Sequence, residues 1–292
     1  MILISGAAGK TGQAIIQALA KSGEPVRAWV RSSDQSSRLK KTGVDNVLVG
    51  DMRDPAVTSQ AVQGIRAIYH IAPNVSPDEA AIGRLLIDAA RSANVEYFIF
   101  HSVLHPQIEA MPHHWQKLRV EEMLFESGLP FTILQPTVYM QNILMHWDRI
   151  TKDGIHPMPY SADTRLSLVD LEDAAQAAAR VLSEAGHNGA TYELVGTSAM
   201  SQSDVADVLS RQLDRPVAAT VEPIEEWERK ARASGLSDYQ VLTLTKMFCY
   251  YEQYGLEGSS KVLSYLLQRQ PTSFEEFVRR IKSEREHDSR VK

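Results

Sequence analysis

A glycine-rich loop behind an apolar N-terminal segment constrains the fold of this chain more than any other feature. Residues 6–12 read Gly-Ala-Ala-Gly-Lys-Thr-Gly, between a predicted strand at residues 2–5 and a predicted helix. In such a loop the first glycine allows a tight turn, the second lets the backbone approach a pyrophosphate, and the third lets helix and strand pack closely. We therefore assign the segment to dinucleotide binding at a helix N-terminus, through Gly6, Gly9, Lys10, Thr11 and Gly12.

Two other interpretations of the loop are weaker. Gly9-Lys10-Thr11 resembles the end of the phosphate-binding loop of nucleoside triphosphatases, but that motif needs a glycine five residues before Gly9, where Ile4 stands. A tight turn without any ligand would explain the glycines, but it would not explain their position after the first strand of a strand–helix unit.

Short apolar segments alternate with helical patterns as far as about residue 141. The predicted strands lie at residues 2–5, 26–30, 46–49, 65–71, 97–100 and 131–134. Strands that alternate with helices in this way are typical of a mainly parallel sheet with right-handed crossovers. The sequence therefore predicts an α/β fold with a Rossmann-type, doubly wound parallel sheet.

The pattern loosens in the second half of the chain. Here we predict a loop at residues 154–163, a strand at 165–169 and an alanine-rich helix at 170–182, followed by short strands and then mostly helix. This predicts a smaller, mostly helical α/β lobe for the substrate. We place the NAD(P)-binding domain at residues 1–150 and the substrate lobe at 151–292, with the two interleaved rather than separate.

Charge and cysteine content exclude several kinds of partner. The formal net charge of -5 argues against a broad surface for nucleic acid or anionic membrane, and the apolar run at residues 2–4 is too short for a signal sequence or a membrane span. The single cysteine, Cys249, excludes an internal disulfide and suits a reducing cytosol. We expect a cytoplasmic protein that binds a small-molecule substrate but neither nucleic acid nor membrane directly. A homodimer or a regulatory protein partner stays open.

The end of the second predicted strand indicates which dinucleotide binds. An NAD site places Asp or Glu there for the ribose 2′-hydroxyl, whereas this strand ends in Arg31, followed by Ser32 and Ser33. A guanidinium and hydroxyls suit a 2′-phosphate, and Lys10 would add a charge nearby. Asp34 argues the other way, but we assign it to capping the next helix. We therefore expect NADP(H) to be preferred over NAD(H), although Arg31 could also be a plain surface residue.

Several motifs together resemble those of the NmrA-like proteins, atypical members of the short-chain dehydrogenase/reductase superfamily. The loop at residues 6–12 is shared with the whole superfamily. More specific are Gly50-Asp51, the His-His-Trp-Gln-Lys segment at 113–117 followed by Glu121-Glu122, the Gln-Pro-Thr-Val-Tyr-Met-Gln-Asn segment at 135–142, and residues 192–196. The resemblance implies either NAD(P)H-dependent reductases of quinones, dyes and phenylpropanoid-like compounds, or NADP-binding regulators without established catalysis.

The same resemblance implies positions around the cofactor. Asp51 and Met52 would lie near the adenine. Ile71, Ala72 and Pro73 would follow the ribose. Ser102 and Val103 would end the strand under the nicotinamide, and Pro136 and Tyr139 would border its other side.

The Tyr-x-x-x-Lys pair that the wider superfamily uses for proton transfer is missing, because no tyrosine precedes a lysine by four residues. His113 instead precedes Lys117 by that interval, so both side chains would share one helix face. His113 could donate a proton near neutral pH and Lys117 could hold the nicotinamide ribose, with Tyr139 shaping the substrate pocket. The alternatives are a solvated lysine and a histidine that merely begins a helix.

The missing tyrosine leaves reduction possible, because an electron-poor quinone or dye accepts hydride without strong acid assistance. The first hypothesis is therefore an NADPH-dependent reductase of quinone- or dye-like substrates. The alternative is an NADP(H)-sensing regulatory protein that acts through a protein partner. A third hypothesis, a nucleotide-sugar epimerase, is weakened by the missing tyrosine.

We predict no metal site. We assign Asp170 and Asp173 to helix capping and solvated first-turn positions.

Overall fold

Seven strands form the central sheet in the order β11-β6-β5-β4-β1-β2-β3. In this computed structural model, which describes residues 1–21 and 23–291 with side chains as far as residue 287, β1 to β6 all run parallel. Apart from the added edge strand β11, this is the strand order of a Rossmann fold. The sheet strands are β1 Ile2–Ile4, β2 Val26–Val30, β3 Val47–Val49, β4 Ala67–His70, β5 Tyr97–His101, β6 Phe131–Pro136 and β11 Ala190–Leu194.

Helices connect these strands as the alternating pattern predicts. They are α1 Lys10–Ala20, α2 Ser33–Lys40, α3 Pro55–Ala61, α4 Glu79–Ser92, α5 Pro112–Ser127 and α6 Leu171–Ser183. The central strands are buried along their whole length, which requires the continuous apolar runs seen in the sequence. Helices α4 and α5 pack closely because Gly83 lacks a side chain: a Cβ there would lie 2.7 Å from a methyl group of Val120. The predicted fold class is confirmed.

The chain divides into two compact units, each built from two segments. The first unit contains Met1–Gln135 and Ala174–Tyr192, and the second contains Pro136–Asp173 and Glu193–Lys292. The chain thus leaves the first unit after Gln135, returns to it with most of α6, and leaves it again within β11. Our assignment of separate functions to residues 1–150 and 151–292 stays a prediction.

The second unit contains short strand pairs and most of the C-terminal helices. Its strands pair as β7 with β10, β8 with β13, and β9 with β12. The strands are β7 Val138–Tyr139, β8 Ile155–Met158, β9 Arg165–Leu166, β10 Leu168–Val169, β12 Met200–Ser201 and β13 Ala218–Val221. A 3-10 helix, Met140–His146, and a π-helix, Arg149–Asp153, follow β7. The remaining helices are α7 Gln202–Leu213, α8 Ile224–Ala233, α9 Asp238–Tyr254, α10 Lys261–Leu267 and α11 Phe274–Val291.

The prediction of a loop at residues 154–163 was wrong at its start. Residues 155–158 form β8, which pairs in parallel with β13 despite its proline, and His156 and Pro157 are buried. The strand predicted at residues 165–169 is interrupted at Ser167. This residue is fully buried, and its backbone N–H donates to the carbonyl of Leu256 instead of to a sheet neighbour.

The two acids at the start of α6 also differ from our prediction. The carboxylate of Asp170 does accept the N–H of Glu172, so capping is confirmed. Both Asp170 and Asp173 are, however, fully buried rather than solvated. Arg280 donates to Asp170 at 2.8 Å and Arg269 donates to Asp173 at 2.5 Å, and these ion pairs make the burial of two carboxylates tolerable.

Candidate functional site

The glycine loop between β1 and α1 has the geometry of a phosphate-binding turn. Gly6 has a φ of +61°, and a Cβ there would lie 2.9 Å from the carbonyl oxygen of Ile71. Gly12 lies inside α1, where a Cβ would be 2.6 Å from both Ala7 Cα and the carbonyl oxygen of Gly6. Only glycine fits either position, so the first and third glycines have the roles that the motif predicts.

The N-terminus of α1 has the features of an anion-binding site. Gly9 is the N-cap residue and makes no side-chain capping hydrogen bond, and the first turn contains no acidic residue. The first-turn amides, beginning at Lys10 and Thr11, therefore point out of the helix with its partial positive charge. A pyrophosphate would satisfy them without displacing any protein group.

The segment after β4 is fixed against this loop. Ser5 lies at the end of β1, and its hydroxyl accepts the N–H of Ile71 at 2.8 Å. The same oxygen lies 2.9 Å from Nδ1 of the fully buried His70. Ile71, Ala72 and Pro73 thus leave the sheet at the same edge as the glycine loop. The strand order changes direction between β1 and β4, which is where open α/β sheets bind ligands.

Arg31 directly follows β2 and is exposed at that edge of the sheet. Ser32 is the N-cap of α2, because its hydroxyl accepts the N–H of Gln35. Asp34 is therefore not the helix cap that we predicted. It lies in the exposed first turn, where a carboxylate is favoured by the helix dipole.

Asp51 and Met52 follow β3, beside Arg31. Asp51 accepts hydrogen bonds from the backbone N–H and the guanidinium of Arg53, the shortest at 2.6 Å. Arg53 also reaches Asp78 at 3.4 Å. The hydrogen bonds from Arg53 lower the pKa of Asp51 to about 2, and the charge of Arg31 adds a smaller contribution in the same direction.

Ser102 and Val103 directly follow β5, and Ser102 belongs to a buried polar cluster. Its hydroxyl donates to a carboxylate oxygen of Glu121 on α5, which also accepts the side-chain amide of Gln135 at 2.9 Å. Burial raises the pKa of Glu121, although the hydrogen bonds from Ser102 and Gln135 oppose this change. The cluster fixes Ser102 at the place where the resemblance implies the nicotinamide.

Lys117 projects from α5 and is held by several groups of the first unit. Its ammonium lies 2.6 Å from Oε1 of Glu79, which is buried, and 3.3 Å from the carbonyl oxygen of His101. It also lies 5.4 Å from the centre of the Phe100 ring. An ammonium has three N–H donors, so these two acceptors leave one donor for a ligand.

His113 begins the same helix face, one turn before Lys117, and it is neutral at pH 7. Its pKa is lowered to about 3, mainly by burial and to a smaller extent by the neighbouring His114 and the charge of Lys117. Its Nδ1 atom is buried and has no hydrogen-bond partner among the described residues. The imidazolium that we expected as a proton donor is therefore not populated near neutral pH, while a neutral ring can still give or accept a hydrogen bond.

The structure brings most of the predicted residues of the first unit to one place. The glycine loop, Arg31, Asp51, the segment at 71–73 and Ser102 all follow the carboxyl ends of parallel strands, so they share one edge of the sheet. Pro136 ends β6 and Tyr139 ends β7 at the start of the second unit. Their roles beside the nicotinamide stay predictions.

Sequence reasoning missed Glu79, Arg53 and the contacts of Glu121. A signal for Glu79 was present, because it lies four residues before Gly83 and seven before Leu86 on the buried face of α4. A carboxylate at such a position requires a buried partner. Within residues 1–21 and 23–291, no group of three His, Cys, Asp or Glu side chains could hold a metal ion. Over the same part of the chain, no helix is both long and apolar enough to cross a bilayer.

Fold and site together define a dinucleotide-binding protein of the Rossmann type. The chain belongs to the NmrA-like family, whose model matches residues 1–278. It is 27% identical over 281 residues to the NAD(P)H azoreductase of Xenophilus azovorans, covering 96% of this chain and 97% of the azoreductase. It is 29% identical over 280 residues to quinone oxidoreductase 2 of Escherichia coli strain K12, covering 95% and 97%.

A solved structure extends this similarity to the fold. The NADPH-dependent quinone oxidoreductase of Escherichia coli, in complex with NADPH, matches with a TM-score of 0.83 at 29% identity. The match covers 96% of this chain and 99% of that structure. The predicted family and fold are thereby confirmed.

Proposed function

We propose that this chain is an NADPH-dependent reductase that transfers hydride to a small, electron-poor acceptor of the quinone or azo-dye type. The observation that carries the proposal is one edge of the sheet. There the uncapped N-terminus of α1 follows β1, Arg31 follows β2, and the ammonium of Lys117 on α5 contacts the carbonyl of His101 at the end of β5. The similarity to an NAD(P)H azoreductase and to an NADPH-dependent quinone oxidoreductase supports the same reaction.

Each part of this edge has a distinct role. The first-turn amides of α1 bind the pyrophosphate, and Arg31 binds the adenosine 2′-phosphate, which gives the preference for NADP(H). Ser102 and the segment at residues 71–73 position the ribose and the nicotinamide. When bound, NADPH supplies hydride to the acceptor and becomes NADP⁺, and one proton from solvent completes the reduction of a quinone to a hydroquinone.

Lys117 supplies the positive charge that stabilises the bound cofactor or the reacting acceptor. Its free N–H donates to the nicotinamide ribose or to the acceptor oxygen on which negative charge develops, while Glu79 and the His101 carbonyl keep the ammonium in place. His113 contributes a neutral hydrogen-bonding ring rather than a proton. We further propose that the protein acts in the cytoplasm. An association with a second copy or another protein would be additional to this chemistry.

The test begins with the purified protein, freed of any co-purified nucleotide. Calorimetric titration with NADPH and NADH measures binding, and loss of NADPH absorbance with a quinone or an azo dye measures turnover. The Lys117→Met/Glu79→Gln double variant leaves no unpaired buried charge, and we expect it to bind NADPH while turnover falls by about 10²-fold or more.

Three results would change the proposal. If neither nucleotide binds, the proposed function is wrong. If the double variant turns over undiminished, Lys117 has no role in the reaction. If NADPH binds tightly but neither class of acceptor is reduced, the alternative holds, namely an NADP(H)-sensing protein that acts through a protein partner.

A further inference from the structure

We infer that Arg53 determines the preference between NADPH and NADH, because it neutralises Asp51 beside the place where the 2′-phosphate would bind at Arg31. The inference rests on the proposed function, since it concerns how the same site distinguishes its two cofactors. It adds a residue that the sequence did not point to and that belongs neither to the glycine loop nor to β2.

Arg53 occupies both oxygens of the Asp51 carboxylate. Its backbone N–H donates to Oδ1 at 2.9 Å, its Nε lies 3.1 Å from Oδ1, and its Nη2 lies 2.6 Å from Oδ2. Asp78 holds the other end of the guanidinium, with Nη1 at 3.4 Å from Oδ2. The two-point contact with Asp51 sets the guanidinium orientation, although the side chain is 63% exposed.

The register of β2 and β3 places this pair next to Arg31. Val30 lies opposite Val49, and the N–H of Gly50 donates to the carbonyl of Val30 at 2.9 Å. Arg31 therefore follows β2 at the level of Gly50, one residue before Asp51. The indole of Trp29 donates to the Gly50 carbonyl at 3.1 Å and fixes this turn.

The two cofactors differ only in the 2′ substituent of the adenosine ribose. A free carboxylate beside Arg31 would repel a phosphate and would accept hydrogen bonds from the 2′-hydroxyl of NADH. With Arg53 bound to both of its oxygens, Asp51 does neither. Arg31 then lies beside a carboxylate whose two oxygens both accept hydrogen bonds from Arg53, so its exposed guanidinium is available to a phosphate.

The experiment measures the ratio of the dissociation constants for NADH and NADPH, because this ratio cancels effects on the parts the two cofactors share. We expect Arg53→Ala to lower the ratio by about three- to tenfold at low ionic strength, and the change to shrink as salt is added. Asp51→Asn removes the charge that Arg53 neutralises. Arg53→Ala made in that background is therefore expected to leave the ratio almost unchanged.

A matched control is available at the opposite edge of the sheet. Arg66 precedes β4 and is also a partly exposed arginine paired with an acid, Glu24, at 3.3 Å. Arg66→Ala is expected to leave the ratio unchanged. Thermal unfolding of each variant checks that binding is measured on folded protein.

The outcomes separate this inference from the proposed function. Wild-type protein that binds NADPH in preference, with an unchanged ratio in Arg53→Ala, would overturn the inference and leave the function standing. If Arg53→Ala lowers the ratio equally in the wild-type and the Asp51→Asn backgrounds, Arg53 contacts the phosphate directly. The inference that it acts by neutralising Asp51 would then be overturned. Wild-type protein that prefers NADH would also overturn it. Binding of neither cofactor would overturn both.

Discussion

The buried ion pair between Lys117 and Glu79 provides a test of the site that needs no substrate. The substitution Lys117→Met keeps a side chain of similar length but removes the only cation within hydrogen-bonding distance of Glu79 in the described structure. The side chain of Glu79 is only 2% exposed and that of Lys117 16%. The nearby His101 and His113 cannot replace the lost charge, because burial holds the pKa of each at about 3.

The size of the effect follows from this burial. Breaking a buried pair by removing one partner costs about 3–5 kcal/mol, because the remaining charge has neither water nor counter-ion. Protonation limits the loss, since neutralising an ordinary glutamate at pH 7 costs about 3.7 kcal/mol. We therefore expect Lys117→Met to lower the free energy of unfolding by about 3–4 kcal/mol, and Glu79→Gln by less, because its amide oxygen still accepts from the ammonium.

The double variant tests whether the two charges stabilise the protein only as a pair. Lys117→Met/Glu79→Gln contains no unpaired charge, so its free energy of unfolding should return to within about 1 kcal/mol of the wild-type value. Urea unfolding, followed by circular dichroism at pH 7, measures all three variants. Lys152→Met is the control, because its ion pair with Asp148 is exposed on both sides and its loss should change nothing measurable. Equal stability of Lys117→Met and wild type, or losses that simply add in the double variant, would refute the reasoning.

The remaining predictions concern the loop, the second unit and pH. Gly12→Ala places a Cβ 2.6 Å from Ala7 Cα, so the loop must shift and the affinity for NADPH, measured by calorimetry, should fall at least about tenfold. Gly9→Ala should lower the affinity less, because the nearest contact of its Cβ would be 3.3 Å. Asp170→Asn should lower the free energy of unfolding by about 2 kcal/mol in a urea titration, because Arg280 loses a buried counter-ion, and an unchanged midpoint would contradict this. Burial lowers the pKa of His70, His101 and His113 to about 3, so between about pH 6.5 and pH 3 the unfolded chain takes up protons at these residues while the folded chain does not. Their contribution to the free energy of unfolding should be constant above about pH 6.5 and should fall as pH decreases, by up to about 2 kcal/mol per histidine at pH 5. His113→Gln should make this fall less steep.

The parts of the fold that depend on local chemistry were predictable from the sequence. The glycine loop, the end of β2 at Arg31 and the buried strands of the sheet each depend on residues that are neighbours in the chain. Even the α4–α5 packing left a trace, since Gly83 lies on the apolar face of α4. Such features are set by backbone sterics and burial pattern, which a single sequence displays.

The features that the sequence did not reveal depend on partners far along the chain. Glu79 lies on the apolar face of α4, but its partner Lys117 becomes evident only when α5 packs against α4. Residues 155–158 look like a loop because their pairing partner, β13, comes some sixty residues later. Asp170 and Asp173 look like solvated acids until Arg280 and Arg269 from the C-terminal region reach them. In each case tertiary contact overrides the local preference, and composition carries no record of it.

The charges around Lys117 also constrain which acceptors the proposed reductase could use. His70, His101, His113 and His114 all have lowered pKa values because they are buried, so none is an imidazolium that could act as a proton donor at pH 7. An ordinary ketone needs a proton as hydride arrives, because its alkoxide is strongly basic. A quinone forms a much weaker base, which an ammonium can stabilise until solvent supplies the proton. The ion pair of Lys117 with Glu79 therefore favours acceptors whose reduced anion is stable, and a rate with quinones far above that with simple ketones is the consequence expected of this arrangement.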